Sequence, residues 1–189
     1  MNKNYNSIVV MLLLLAVIFG TFFFMMPQIS EKASVPLSEF STKRTLEKIK
    51  TIAQQPHYVG SKNHDEVALY LQKELQNLGL QTSFQEGFTM TEKGTLVQSK
   101  NILARIKGSE NGKALVLLSH YDSAPHSFSK GASDDASGVA TILESVRAFL
   151  YNNSKNKNDI IILFSDAEEL GLNGAALFVT QHQWAKNVG

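Results

Sequence analysis

The sequence predicts an α/β domain with a mostly parallel central sheet, preceded by one transmembrane helix. Three observations carry this. The stretch from Ile8 to Met26 is apolar and uncharged. Two short apolar runs, Ala114 to Ser119 and Ile160 to Phe164, read as strands buried on both faces. Between them Val139, Ile142, Leu143, Val146, Phe149 and Leu150 recur at helical spacing. A strand, helix, strand unit of this kind closes right-handed into a parallel sheet with helices covering its faces.

Only Gly20 and Thr21 interrupt the first stretch, which at about 1.5 Å per residue can span the roughly 30 Å hydrocarbon layer. A signal peptide is the competing reading, but its apolar core runs about 7 to 15 residues and precedes a small-x-small cleavage site. Met25, Met26 and Pro27 follow here, which favours an uncleaved anchor. The expected organisation is a short tail over 1–7, a membrane anchor over 8–26, a linker over 27–39 and a domain over 40–189. Lys3 and the amino terminus flank one side of the anchor, whereas Glu31 and Lys32 cancel on the other. The positive-inside bias therefore puts the start in the cytoplasm and the domain outside it, in a periplasmic, extracellular or lumenal space.

With 43% hydrophobic and 19% charged residues and a net charge of +1, the chain is neither disordered nor built for nucleic acid. No basic stripe or glycine-rich phosphate loop occurs. Cysteine is absent, so there is no disulfide framework.

Within the domain, Ser41 or Thr42 can cap a helix bearing Leu46, Ile49, Ile52 and Ala53 and ended by Pro56. A second helix is predicted from Asn63 to Leu78, with Gly79 as its left-handed stop. Thr82 to Phe88 and Leu96 to Lys107 are strand candidates around the turn Glu92-Lys93-Gly94. A last helix is expected to begin within Asn173 to Trp184.

Open parallel sheets bind ligands beyond the carboxyl ends of their strands. His120 and Asp122 leave the first strand at that rim, and Asp166, Glu168 and Glu169 leave the second. Asp134 lies in Gly131-Ala132-Ser133-Asp134-Asp135-Ala136-Ser137-Gly138, just before the linking helix, where Asp134 or Asp135 also reads as a simple helix cap. Imidazole and carboxylate together are a donor set for an ion such as Zn²⁺. An aspartate with two free oxygens can bridge two such ions.

Read in order, His120-Tyr121-Asp122, Asp134-Asp135 and Ala167-Glu168-Glu169 resemble the family-28 metallopeptidases, the dizinc aminopeptidase family, from about Phe40 onward. Pro56-His57, Gly60-Ser61 and Asn63 further resemble the membrane-bound branch that holds the vacuolar membrane proteases and the endoplasmic reticulum metallopeptidase. The resemblance implies a zinc-exopeptidase-like three-layer α/β/α domain that is incomplete in this chain. It implies two zinc ions, with His120 on one, Glu169 on the other and Asp134 bridging. Glu168 would be the general base, and Asp122 would orient His120. The family often has Asn after the bridging aspartate, where this chain has Asp135. It also takes one further Asp and one further His from later segments, so the expectation is a chain carrying the front of a longer domain and inactive alone.

The activity implied is that of a membrane-anchored zinc exopeptidase, an aminopeptidase that cleaves peptide or protein substrates through a two-metal-activated water. One alternative is a single-metal acyltransferase like the glutaminyl cyclases, against which His120 and Asp122 weigh. The other is a non-catalytic ectodomain, against which Glu168 weighs. His57, His64, His126 and His182 have no matched partner and are expected at the surface. Asp166 sits on the rim without a role. Ser119, Ser123 and Ser137 lie in no Gly-x-Ser-x-Gly elbow.

Overall fold

A computed structural model describes residues 3–26 and 34–189, without the side chains of 3–6. It divides into two units, Met1–Ala33 and Ser34–Gly189. The first contains helix α1, Lys3–Met25, whose portion Ser7–Met25 is long and apolar enough to cross a membrane. Most of the expected linker, residues 27–33, lies outside the described residues.

The second unit opens with α2, Thr42–Ile52, which Ser41 caps by accepting the Arg44 N–H at 3.2 Å. The helix ends ahead of Pro56, its expected stop. In α3, Lys62–Asn77, the Ser61 hydroxyl does the same for His64 N–H. The predicted stop at Gly79 is present: its φ is +81°, Leu80 N–H reaches Leu75 O at 3.2 Å, and Gly79 N–H reaches Gln76 O at 2.8 Å. Glycine takes this left-handed conformation without a Cβ penalty.

Strands β1, Thr82–Met90, and β2, Leu96–Ile106, pair as an antiparallel hairpin. After β3, Leu115–His120, come the turn Ala132–Ala136, helix α4, Ser137–Tyr151, and strand β4, Ile160–Ser165. Helix α5, Asn173–Gln181, and a short 3₁₀ turn, Gln183–Asn187, complete the described elements.

The sheet order is β1-β2-β4-β3. Within the sheet β3 pairs parallel with β4, the strand joined to it through α4, while β2 enters beside β4 antiparallel. The sheet is therefore mixed, because the hairpin supplies two of its four strands.

Alternation along the central strands divides the core. Ile102, Ala104, Ile162 and Phe164 pack with Ile52, Val67, Leu71, Leu75, Val139 and Leu143, under α2, α3 and α4. Leu103, Ile161 and Leu163 point the other way, against Phe178 of α5 and Trp184. Three layers result, α/β/α, with the period of two deciding which side chain serves which face.

β3 departs from its predicted burial on both faces. It is the edge of the described sheet, and Leu115 and Leu118 are 57% and 52% exposed.

A second tie secures the start of the domain. Glu144 of α4, fully buried, accepts Ser41 N–H and Arg44 Nε, both at 2.9 Å, and Arg147 Nη2 and Nε at 2.6 and 2.8 Å. Burial alone would raise its carboxyl, but the hydrogen bonds from Arg147, Arg44 and Ser41 hold it below its ordinary value.

Candidate metal centre

Parallel pairing aligns the carboxyl ends of β3 and β4, with His120 opposite Ser165. The ladder's final bond runs from Tyr121 N–H to Ser165 O at 3.0 Å. The residues just beyond it are those the sequence marks as functional.

Asp122, 1% exposed, joins the two loops. Its Oδ1 accepts Glu168 N–H at 3.1 Å and its Oδ2 accepts Glu169 N–H at 3.2 Å. The same carboxylate lies 3.5 Å from His120 Nδ1, which also faces Asp122 O at 3.1 Å. One buried aspartate thus orients the imidazole and fixes the backbone of both glutamates, as a carboxylate behind a ligand histidine does in metal sites.

The neighbouring pair in the turn before α4 divides its work. Asp135 receives Ser119 Oγ–H at 2.5 Å and Gly138 N–H at 2.9 Å, so it is the carboxylate that caps the helix start. Asp134, 76% exposed at its side chain, reaches His120 Nε2 with Oδ1 at 3.0 Å. The cap and the candidate ligand are therefore different residues, joined by a cis peptide bond.

His120 faces carboxylates from two sides, since Glu168 Oε2 is 3.9 Å from Nε2. Burial opposes its charge, but the hydrogen bonds and charge of Asp122 and the hydrogen bond to Asp134 win and push it up to about 9. A doubly protonated ring satisfies acceptors at both nitrogens. Glu169 is also raised, by burial first and then by the Asp134 charge, with His120 partly offsetting both.

Among the described residues no three His, Asp or Glu side chains converge closely enough to hold one ion; His120 and Asp134 bond each other directly instead. The donor chemistry nonetheless fits zinc. One imidazole and several mutually repelling carboxylates share a half-buried rim, and a cation would displace the histidine proton and relieve the repulsion.

The surface placement expected for two histidines is overturned. His57 is 1% exposed, and its main chain clasps Ser123: His57 N–H donates to Ser123 Oγ at 2.9 Å, and Ser123 N–H donates to His57 O at 3.3 Å. Desolvation by burial lowers its ring below the usual histidine value. His64 is also buried, against Asp166. His126 is exposed and His182 half-buried. These burials had no local signal, because the partners lie 66 and 102 residues away.

Residues 101–189 match Peptidase family M28. A vacuolar membrane protease of Candida albicans is 38% identical over 144 residues, covering 75% of this chain, and the chain spans 17% of that protein's length. Among solved structures, a Zn-dependent exopeptidase from Parabacteroides distasonis is 27% identical with a TM-score of 0.60, over 72% of this chain and 49% of that one. A glutaminyl cyclase from Bacteroides thetaiotaomicron is 28% identical with a TM-score of 0.60, over 72% of this chain and 49% of that one. With its matched residues lying on the rim and sheet just described, the chain belongs to peptidase family M28 and resembles that family's membrane-bound branch.

Proposed function

We propose that the protein is a membrane-anchored, zinc-dependent exopeptidase, specifically an aminopeptidase that removes residues from peptide or protein substrates. The observation that carries this is the double grip of Asp122 on Glu168 and Glu169 beside His120. It presents an imidazole and two successive glutamates on one rim, in a chain of a peptidase family.

In this reading His120 would hold one zinc and Glu169 the other, with Asp134 as a shared carboxylate. Zinc bound there would polarise a carbonyl and lower the pKa of water to about 7. Glu168, held by its main chain and half-exposed, takes the proton of the attacking water and returns it to the departing amine. Asp122 keeps the His120 ring aimed and donates no proton itself. The charge bias of the flanks supports an anchor that keeps the domain outside the cytoplasm.

A second reading, glutaminyl cyclisation, is favoured by the likeness to the Bacteroides thetaiotaomicron cyclase. One assay separates the two. The full-length protein is given a peptide with a free N-terminal glutamine and its N-acetylated copy, before and after chelation and zinc restoration. Release of the N-terminal residue from the free peptide only, lost on chelation and restored by zinc, is expected. Ammonia release without chain cleavage would establish the cyclase instead. Failure to act on either peptide would reject both enzymes and leave a binding ectodomain. Glu168→Gln should lower turnover by ~10²–10⁴ with zinc content unchanged.

A further inference from the structure

His64 and Asp166 form a buried pair beside the rim, 5% and 1% exposed, with His64 Nε2 at 2.7 Å from Asp166 Oδ1. Asp166 is a hub. Its carboxylate also accepts Ala167 N–H and Lys100 N–H, each at 2.8 Å. Its own N–H donates to Asn101 Oδ1 at 3.0 Å, and its carbonyl accepts Gly174 N–H at 2.8 Å. A Cβ at Gly174 would stand 2.3 Å from both Asn101 Oδ1 and Asp166 O, so only glycine lets the start of α5 press against this point.

The His64 ring has a second contact through its face. It stacks on Tyr121, with centroids 4.9 Å apart and planes 16° from parallel. Tyr121 lies between His120 and Asp122, is 1% exposed, and donates its hydroxyl to Lys100 O at 2.8 Å. A ring held by its edge on one segment and by its face on another has one orientation available. It therefore fixes those two segments relative to each other.

The fixation comes where main-chain pairing stops. The β3/β4 ladder ends at Tyr121 and Ser165, and the next residues include Ala167, buried and left-handed at φ +55° immediately before Glu168. Such a conformation in a residue with a Cβ persists only where surrounding contacts enforce it. The Asp166 carboxylate supplies one of them.

We infer that His64 is a positioning residue: from the first turn of α3 it bridges Tyr121 and Asp166, and so sets how the Glu168–Glu169 segment faces His120. The inference rests on the proposed peptidase reading only for the reaction it serves. Two variants divide its contacts. His64→Phe keeps the stack and loses the donor to Asp166, whereas His64→Gln keeps a donor and loses the ring.

In the zinc-free full-length protein, His64→Phe should speed amide exchange across Ala167 to Leu172 by ~10-fold or more, with α4 within ~2-fold of the unaltered protein. His64→Gln, which keeps the donor and loses the stack on Tyr121, should recover only part of that protection. With zinc, His64→Phe should lower kcat about tenfold with KM within about twofold, and His64→Gln should restore it only in part. Unchanged exchange in the loop, a uniform rise that includes α4, a His64→Phe chain that does not fold, a His64→Gln no better than His64→Phe, or a His64→Gln indistinguishable from the unaltered protein would each overturn the inference. So would a loosened loop with unaltered kcat. If the unaltered protein hydrolyses no peptide, the peptidase reading fails, and the exchange pattern still decides whether His64 positions the loop.

Discussion

Asp122 Oδ1 accepts the main-chain N–H of Glu168 at 3.1 Å, so a side chain from the loop after β3 holds the backbone of the loop after β4. Its other oxygen repeats the grip on Glu169. Asp122→Asn would turn an NH₂ group toward one of those two donors. Zinc affinity or activity should fall ~10–100-fold, the usual cost of losing a partner behind a ligand. Zinc titration measures it, and an affinity within twofold of the original would refute this role for Asp122.

The division between Asp134 and Asp135 predicts opposite phenotypes for neighbouring substitutions. Asp135→Ala removes a helix cap and should cost about 0.5–2 kcal/mol of stability while the protein still takes up zinc. Asp134→Ala changes a largely exposed side chain and should leave stability within about 0.5 kcal/mol while zinc is lost. Thermal unfolding and metal analysis on both variants read the difference. If Asp135→Ala lost the metal and Asp134→Ala kept it, the two roles would have to be exchanged.

Protonation of His120 links the zinc-free protein to pH. Its folded-state value is raised from 6.5 to about 9, so its stabilising contribution is fully present below 6.5 and is lost as pH rises through about 9. Unfolding of zinc-free protein followed from about pH 6 to about pH 10 should show this loss. His120→Gln should flatten that part of the curve. Zinc uptake at neutral pH should release a proton, detectable as a buffer-dependent heat of binding.

Glu144 predicts the reverse slope. Its carboxyl is held below its ordinary value of 4.5, so its contribution is present above 4.5 and disappears as pH falls below that value. Glu144→Gln leaves Arg147 facing a neutral group in a buried position and should cost roughly 3–5 kcal/mol. Because the damage lies at the α2/α4 contact, the loss should show as a lower Tm in the presence or absence of zinc. A Tm within one or two degrees of the original would argue that water takes the place of the ion network.

Much of the scaffold was legible because its signals are local. Ser41 precedes a helix it does cap, Gly79 ends another, and the apolar runs before His120 and Asp166 are the paired strands. That His120 and Asp122 share a rim with Glu168 and Glu169 followed from the rule for strand ends. Which of Asp134 and Asp135 caps α4 was not legible, since the answer depends on Ser119, 16 residues earlier. Nor was the burial of His64, whose partner Asp166 is remote in sequence and whose helix face shows no charge pattern marking it. The exposure of Leu118 escaped for another reason: an apolar run reads alike at the centre of a sheet and at its edge.

The register of β3 against β4, with Leu115 opposite Ile160 and His120 opposite Ser165, makes the rim a checkpoint on assembly. A slip of one residue would turn β4 over, send Ile162 and Phe164 to the wrong layer and carry the Glu168 and Glu169 amides away from Asp122. Only correctly aligned chains would then bring His120, Glu168 and Glu169 to one rim for zinc. At free zinc one hundred times its dissociation constant they would gain about 2.7 kcal/mol over misaligned ones. Metal capture would in that way act as proofreading, separating chains that have folded correctly from those that have merely collapsed.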